Sequence, residues 1–435
     1  MKSEPSRILI VQVAGLGHSL LESAGRLDWN GLRFEPLDTV FPALTCPVQA
    51  SFRTGLPPSR HGMVANGFYH ADLHRPLFWE QSSGLVAGPR LWDRYRASGK
   101  KVSLLFWQQS LGEDADVILS PAPIHKHGGG MLDAVYSQPR PLYESLCRRV
   151  GRRFRLHRYW GPLASAESSA WIAEATAALL ADPEQAPDLG FTYLPALDYD
   201  LQRYGPADPR GRRALAGLLA QLDMLRKACE ANGYRLIVFG DYAIAPTSSA
   251  VFPNLALRRA GLLSTRPVSG LHYPDFHASA AFAVVDHEVA FVHGRDLHAA
   301  ESARRVFERL DGVESILDHA GQAAAGVLHP RSGALTLVAK PGFWFAYPWW
   351  EPGEKGPDYA AHVDIHNKPG YDPCELFFGW PPFTISTDTA RIKGSHGRTG
   401  PARRVAWLST VPFARKPETL LDLAQLLRGL LEGEA

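Results

Sequence analysis

Residues 8–17 read ILIVQVAGLG, an apolar run that ends in a glycine-containing turn. Such a run is typical of a parallel strand that is buried on both faces and then leads into a helix. Similar runs, with helical patterns between them, recur through the first half of the chain: strand-like segments at 101–106, 191–194 and 236–239, and helical patterns at 168–181 and 210–231. Strands that alternate with helices predict an α/β fold in which helices cover a mostly parallel sheet.

The composition excludes several classes of protein. Of the 435 residues, 45% are hydrophobic and 21% are charged, which excludes a disordered chain. The net charge of +2 does not favour electrostatic binding of nucleic acid. The four cysteines stand at no metal-binding or disulfide-scaffold spacing, and no run reaches the ~18 apolar residues of a membrane helix. Because residues 8–13 are predicted as a strand and not as a signal peptide, we expect a cytoplasmic protein without a membrane partner.

A second region, between residues 250 and 345, has a different pattern. Its short apolar runs stand near turns, at 282–285, 289–292 and 335–338. This pattern favours an inserted, smaller cap region. We therefore predict three parts: residues 1–250 as the first part of a core, residues 251–340 as the cap, and residues 341–435 as the completion of the core.

The motif that carries the most chemical information is FPALTCPVQASFRTGLPPSRHGMVAN, residues 41–66. It resembles the nucleotide pyrophosphatase/phosphodiesterase family (type I phosphodiesterases) of the alkaline phosphatase superfamily, because Thr45, His61 and Asn66 stand at that family's spacing. The resemblance implies an alkaline-phosphatase-like fold, with a mostly parallel sheet sandwiched by helices and an inserted cap. It also implies hydrolysis of phosphodiester or phosphoanhydride bonds.

The same resemblance implies roles for two residues of the motif. Thr45 would be a metal-bound nucleophile, and Asn66 would donate a hydrogen bond to a phosphoryl oxygen. A threonine hydroxyl needs a metal or a base to become nucleophilic at neutral pH. A helix that begins at Thr45 would also favour an arriving anion.

The family's two-metal site is only partly present in this sequence. Three of six expected ligands besides Thr45 are present, namely Asp198, Asp241 and His396, and three are replaced, by Ala14, Gln202 and Tyr242. Two ions cannot be held in the usual way, so the resemblance implies a divalent metal (Zn, Mg or Mn) with fewer than two ions. An amide oxygen such as that of Gln202 suits a harder ion than an imidazole does.

A compensating arrangement is predicted from Asp364 and His366. Two residues apart on a strand, their side chains would share one face, and with Asp198 and His396 they would form a single metal site. The alternative, that Asp364 and His366 are only a buried hydrogen-bonded pair, stays open. Further predicted substrate contacts come from four residues: Gln202, Tyr242, Lys393 and Arg398, of which the last two would neutralise phosphate charge.

The sequence thus predicts a hydrolase that uses Thr45 and a divalent metal. Its substrate would be a small phosphorylated molecule, with a nucleotide as one candidate. Two alternatives remain: a catalytically silent protein that binds a phosphorylated ligand or acts as a scaffold, and a transferase that uses the same residues.

Overall fold

The computed structural model of this protein describes residues 7–127 and 131–433. Its helices are α1 (His18–Ser23), α2 (Thr45–Thr54), α3 (Pro58–His61), α4 (Asp93–Ala97), α5 (Leu142–Val150), α6 (Ala166–Leu180), α7 (Ala196–Tyr204), α8 (Pro209–Ala231), α9 (Pro253–Arg259), α10 (Leu297–Phe307), α11 (His319–Ala324) and α12 (Leu420–Glu432). Its strands are β1 (Arg7–Val13), β2 (Asp28–Trp29), β3 (Leu32–Arg33), β4 (Glu35–Leu37), β5 (Gly67–His70), β6 (Arg75–Phe78), β7 (Val102–Leu105), β8 (Val117–Pro121), β9 (Ile124–His125), β10 (Met131–Leu132), β11 (Val135–Gln138), β12 (Leu189–Leu194), β13 (Tyr234–Gly240), β14 (Ala245–Pro246), β15 (Ser249–Val251), β16 (Thr265–Val268), β17 (Leu271–Pro274), β18 (Ala281–Asp286), β19 (Val289–Gly294), β20 (Val313–Leu317), β21 (Leu335–Ala339), β22 (Phe343–Phe345), β23 (Gly394–Ser395) and β24 (Val405–Ser409).

The central sheet has eight strands in the order β11-β8-β7-β12-β1-β13-β24-β4. The five from β8 to β13 in that order are parallel, and β11, β24 and β4 pair antiparallel at the two sides. In the register of the middle strands, Val11 lies opposite Thr192 and Val238. The carboxyl ends of β1, β12 and β13 therefore meet at one edge, which is where parallel α/β sheets bind ligands.

Two apolar layers enclose this sheet, because successive side chains of a strand point to opposite faces. Leu9, Val11 and Val13 pack with one layer, whose helical residues come from α1, α5, α6, α7 and α8. Ile8 and Ile10 pack with the other layer, which includes residues of α2, α4 and α12. The unbroken apolar run 8–13 is therefore explained by burial on both sides.

A second, antiparallel sheet of four strands lies in the order β18-β19-β21-β20. Its apolar core also contains residues of α9 and α10, Leu257 and Ala303 among them. The two-residue turn between β18 and β19 reaches the central part of the protein, where Glu288 N donates a hydrogen bond to His396 O over 2.9 Å. This sheet lies within the segment predicted as a cap, and the three domain boundaries themselves stay a prediction.

The alternation of strands and helices predicted from the sequence is confirmed by these elements. No helix among the described residues is long and apolar enough to cross a membrane. The four cysteines are free and buried.

Candidate functional site

Thr45 is the first residue of the ten-residue helix α2, and Leu44 before it is extended. The Thr45 side chain is buried, and its Oγ1 lies 3.3 Å from the hydroxyl of Tyr193, which comes from the end of β12. Backbone N–H groups at a helix start have no partner within the helix and carry partial positive charge, so they attract an anion. The predicted helix start at Thr45 is therefore present in the structure.

Asn66 connects this helix start to the turn between β18 and β19. Its Oδ1 accepts a hydrogen bond from Cys46 N over 3.0 Å. Its Nδ2 donates to Asp286 Oδ1 over 3.2 Å, and its backbone N donates to Asp286 Oδ2 over 2.8 Å. Asn66 thus bridges two parts of the site, whereas the sequence predicted only a donor to a phosphoryl oxygen.

Asp198 lies in the first turn of α7, one helical turn before Gln202. Gln202 Nε2 donates to Asp198 Oδ2 over 2.6 Å, and the Tyr242 hydroxyl donates to Asp198 Oδ1 over 3.0 Å. Burial raises the pKa of Asp198 to about 7, although both of these hydrogen bonds lower it. The two residues that replace histidines of the family pattern therefore satisfy the carboxylate that a metal would bind.

Asp241 follows β13 and is equally well supplied with donors. Its Oδ1 accepts from Gly15 N over 3.1 Å and from Tyr242 N over 2.9 Å. Its Oδ2 accepts from Gln12 Nε2 over 3.3 Å and from the Tyr193 hydroxyl over 3.5 Å. Burial raises the pKa of Asp241 well above its usual value, and the donors from the Gly15 turn oppose that shift. Gly15 has a φ of 73°, which glycine adopts at little cost.

His396 is held in a column of four stacked rings. The Tyr242 ring lies 3.3 Å from it and the His287 ring 3.7 Å from it, while His287 stacks in turn on Tyr371 at 3.7 Å. His396 Nδ1 donates to Ala43 O over 2.9 Å. Burial lowers the pKa of His396 well below its usual value, which keeps the imidazole neutral.

These residues do not fit a metal centre. Within residues 7–127 and 131–433, no group of three or more His, Cys, Asp or Glu side chains is placed to hold an ion. His396 Nε2 lies 3.9 Å from Asp198 Oδ1, but that oxygen already accepts from Tyr242. Asp241 turns its oxygens to backbone and side-chain donors. A carboxylate whose lone pairs are occupied has to lose those hydrogen bonds before it binds an ion.

The predicted single metal site from Asp198, Asp364, His366 and His396 is not assembled in this structure. The Asp364 carboxylate accepts from the Asn367 backbone and side chain, and His366 Nδ1 donates to Phe78 O over 2.8 Å. Asp364 and His366 line the same cavity as Asp198, in a segment that carries no strand. The shared strand face on which this prediction depended is therefore absent.

The side chains of Lys393 and Arg398 bind to groups outside the cavity. Lys393 is exposed, and its Nζ donates to Ala390 O over 2.7 Å. Arg398 pairs with Glu314 and donates to Ala339 O. Neither residue lines the cavity described below, and their role in neutralising phosphate charge stays a prediction. His396 lies between them in the sequence and is buried.

A cavity of about 440 Å³ opens above Thr45. Its floor is formed by polar groups from several elements: Thr45, Tyr193, Asp198, Gln202, Tyr242, His287 and Tyr371. Its walls are mostly aromatic and aliphatic: Trp79, Leu156, Tyr159, Trp160, Leu163, Tyr199, Val363, Ile365 and Phe378. Among the described residues that line it, none is Lys or Arg.

Sequence reasoning missed several residues of this cavity, His287 and Tyr193 above all. Tyr193 ends a strand that was predicted, so its position at the ligand edge of the sheet was available. His287 follows Asp286 directly after the predicted strand 282–285, and an Asp-His pair after a strand is a signal of the same kind.

The chain is similar to one known protein family in sequence and to solved structures in fold. The sequence model of the family described as type I phosphodiesterase / nucleotide pyrophosphatase matches residues 18–372. No curated protein matches the chain. Phosphonoacetate hydrolase from Sinorhizobium meliloti 1021, in complex with phosphonoformate, has a TM-score of 0.62 and 14% identity, covering 99% of this chain and 97% of that chain.

The murine ectonucleotide pyrophosphatase / phosphodiesterase 5 has a TM-score of 0.59 and 16% identity, covering 98% of this chain and 95% of that chain. An inactive form of the murine protein in complex with AMP gives a TM-score of 0.57, 15% identity, and 98% and 95% coverage. At such identities the likeness shows the fold, and it confirms the predicted alkaline-phosphatase-like sheet between helices.

Proposed function

The chain belongs to the type I phosphodiesterase / nucleotide pyrophosphatase family, and we propose that it hydrolyses a small phosphodiester at the cavity above Thr45. The observation that carries this proposal is the position of Thr45. Its hydroxyl is buried at the floor of the cavity, at the start of α2 and beside the Tyr193 hydroxyl. Cys46 N donates to Asn66 and Pro47 has no N–H, so the Thr45 hydroxyl lies next to its own backbone N–H and the positive end of the helix dipole, which attract a phosphoryl anion.

Charge favours a diester over a monoester as the substrate. The described lining of the cavity contains the carboxyls of Asp133, Asp198 and Asp364 and no Lys or Arg. A phosphomonoester carries close to two negative charges at neutral pH, and a diester carries one. Like charges repel each other more strongly in a site of low dielectric constant. These carboxyls therefore repel a monoanion less than they repel a dianion.

The walls favour a planar or apolar substituent on the phosphorus. Trp79, Tyr159 and Trp160 offer ring faces beside the polar floor, and aromatic faces stack on nucleobases and other planar groups. Two proteins of the same fold are known with phosphonoformate and with AMP bound, which supports a small phosphorus-containing ligand. A nucleotide diester is one candidate.

In the proposed reaction Thr45 Oγ1 forms a bond to phosphorus and the ester P–O bond to the leaving alcohol breaks. The Thr45 proton leaves on the departing alkoxide. Water then attacks the phosphothreonine and frees Thr45. The residues present do not fit a metal ion, so the proposal assigns stabilisation of the phosphoryl oxygens to the start of α2.

A second candidate function is binding of a phosphorylated ligand without turnover. The observation in its favour is that Gln202 and Tyr242 satisfy Asp198 without an ion.

A cytoplasmic location remains part of the proposal and is supported by the four free, buried cysteines.

The test compares wild type with Thr45→Ala and Thr45→Ser on bis-p-nitrophenyl phosphate, a diester, and on p-nitrophenyl phosphate, a monoester. We expect turnover of the diester to exceed that of the monoester, and Thr45→Ala to lower kcat by at least about 1,000-fold. Thr45→Ser should keep measurable turnover, since it keeps the hydroxyl.

The matched control is Thr265→Ala, which removes a half-buried threonine hydroxyl in β16, outside the cavity lining, and should leave turnover within about twofold of wild type. Equal background hydrolysis by wild type and Thr45→Ala, with AMP binding retained by both in calorimetry, would show that the protein binds a phosphorylated ligand without hydrolysing it.

A further inference from the structure

His287 has an unusual backbone conformation for its residue type. It is the first residue of the two-residue turn between β18 and β19, and its φ is 59°. Turns of this kind favour Gly, Asn or Asp where φ is positive. A bulky residue is sterically disfavoured in the left-handed region, so its presence here points to a use for the side chain.

The His287 side chain is held in one orientation. Its Nδ1 lies 2.8 Å from Asp286 Oδ1. Asp286 also accepts from the backbone and the side chain of Asn66. An ionised carboxylate has no proton to donate, so each of its hydrogen-bond partners must be a donor. Nδ1 therefore carries the proton and donates it, which leaves the lone pair of Nε2 available.

That lone pair has no partner among the described residues. His287 is 3% exposed, and its Nε2 is buried without a hydrogen-bond partner in the part of the chain that the structure describes. Of the cavity-lining residues described, His287 is the one with such a buried, unpartnered polar atom. A buried polar atom without a partner costs free energy unless water or a ligand satisfies it.

The hydrogen bonds of Asn66 connect the segment of His287 to the segment of Thr45. Asn66 accepts from Cys46 N, the residue after Thr45, and donates to Asp286, the residue before His287. The nucleophile and the imidazole therefore belong to one hydrogen-bonded framework, although they come from the core and from the second sheet.

We propose that His287, oriented by Asp286, is the base that activates the water in the second half of the reaction. This inference rests on the proposed function, because it needs a phosphothreonine at position 45. Water forms a bond to phosphorus, its proton passes to His287 Nε2, and the P–Oγ1 bond to Thr45 breaks. The proton on Nε2 then returns to Thr45 Oγ1, so that the free enzyme is regenerated with no net gain or loss of protons.

The test uses His287→Gly and His287→Asn with bis-p-nitrophenyl phosphate. Gly and Asn both tolerate the positive φ of this position, so the backbone of the turn is preserved. Asn also keeps a hydrogen bond to Asp286 but places nothing where Nε2 was. Thermal unfolding of each variant shows whether the chain is folded, and Asp286→Asn offers a further variant that leaves the imidazole in place.

We expect both His287 variants to release one equivalent of p-nitrophenolate per chain in a burst and then to turn over at least about 100-fold more slowly than wild type. Intact-mass analysis should show a p-nitrophenyl phosphoryl adduct on the folded variant, and a double variant with Thr45→Ala should show none. Added imidazole should accelerate turnover in His287→Gly, where the cavity left by the ring admits it.

Turnover of the His287 variants within about threefold of wild type would overturn the inference. So would slow turnover without a burst and without an adduct in a folded variant, since His287 would then act in the first step or only in binding. Absence of Thr45-dependent turnover in wild type would instead overturn the proposed function, and the inference with it.

Discussion

The ring of Tyr242 lies flat on the ring of His396, with 3.3 Å between the centroids and 2° between the planes. The Tyr242 hydroxyl donates to Asp198 over 3.0 Å. The Tyr242 side chain thus covers the imidazole of His396 and donates to the carboxylate of Asp198. Both of these residues are predicted from the sequence as metal ligands. Two of the three replacements in the family pattern are explained together, because Tyr242 and Gln202 donate hydrogen bonds to Asp198 in place of an ion.

Removal of the Tyr242 hydroxyl should destabilise the protein. In Tyr242→Phe the ring still stacks on His396, but Asp198 Oδ1 loses its donor in a buried site. We expect the free energy of unfolding to fall by about 1–3 kcal/mol, measured by urea denaturation. Phe413→Leu, at a partly buried position outside the site, is the control for a general change in packing. Unchanged stability would contradict the assignment of this hydrogen bond.

Metal ions should not stabilise the protein as it stands. Because the carboxylates of Asp198 and Asp241 are supplied with donors, we expect EDTA, Zn²⁺, Mg²⁺ and Mn²⁺ to leave the Tm unchanged. The triple variant Ala14→Asp, Gln202→His, Tyr242→His restores the family's ligand pattern and should bind zinc, as measured by elemental analysis after dialysis. One equivalent of tightly held metal in wild type, with a Tm lowered by EDTA, would show that the site binds an ion after all.

Acid should destabilise the protein through His61. Met63 N donates to its Nδ1 and Nε2 bonds to Ser51 Oγ, so the buried ring is neutral. Burial lowers the pKa of His61 to about 3. Between pH 6.5 and 3 the unfolded chain therefore binds one more proton than the folded chain, and stability from this residue falls as pH falls, by up to about 1.4 kcal/mol per pH unit.

The measurement is urea denaturation of wild type and His61→Gln between pH 4 and 8. Gln stays neutral at every pH, so the variant should be less stable at pH 8 yet have a shallower slope below pH 6. Parallel slopes in the two proteins would show that other groups cause the acid sensitivity.

A buried lysine that does not line the cavity should be a strong structural constraint on the fold. Lys368 Nζ contacts Asp372 over 2.8 Å and Glu375 over 2.7 Å, and all three are buried. Lys368→Met leaves two buried carboxylates without a cation, and we expect a loss of about 3–5 kcal/mol in the free energy of unfolding.

The control for Lys368→Met is the triple variant Lys368→Met, Asp372→Asn, Glu375→Gln, which removes the stranded charges and should recover most of the loss. Equal destabilisation in the single and triple variants would mean that the packing of the lysine chain, and not its charge, matters here.

The sequence predicted the main elements because their signals are local. The apolar run 8–13 is β1 within one residue, the helical pattern 210–231 is α8 within one residue, and α2 begins at Thr45 as the motif implied. A strand buried on both faces and a helix with a regular apolar stripe are each recognisable from a window of ten to twenty residues.

The sequence could not place the predicted metal ligands relative to one another, because ligand geometry is not local. Asp364 and His366 are two residues apart, and the spacing favoured a shared face only if they formed a strand. They lie in a segment without one, where Asn367 and the Phe78 carbonyl bind their polar atoms. Nothing in the neighbouring residues indicates which distant group supplies such a hydrogen bond.

What this sequence determined by itself is the order of its strands and helices, its family, and a threonine at the start of a helix. Only the tertiary structure decided that Tyr242 and Gln202 satisfy Asp198, and that the turn carrying His287 reaches the helix of Thr45. The physical reason is that backbone conformation depends mainly on nearby side chains. A hydrogen bond between distant segments depends on how the whole sheet and its covering layers pack.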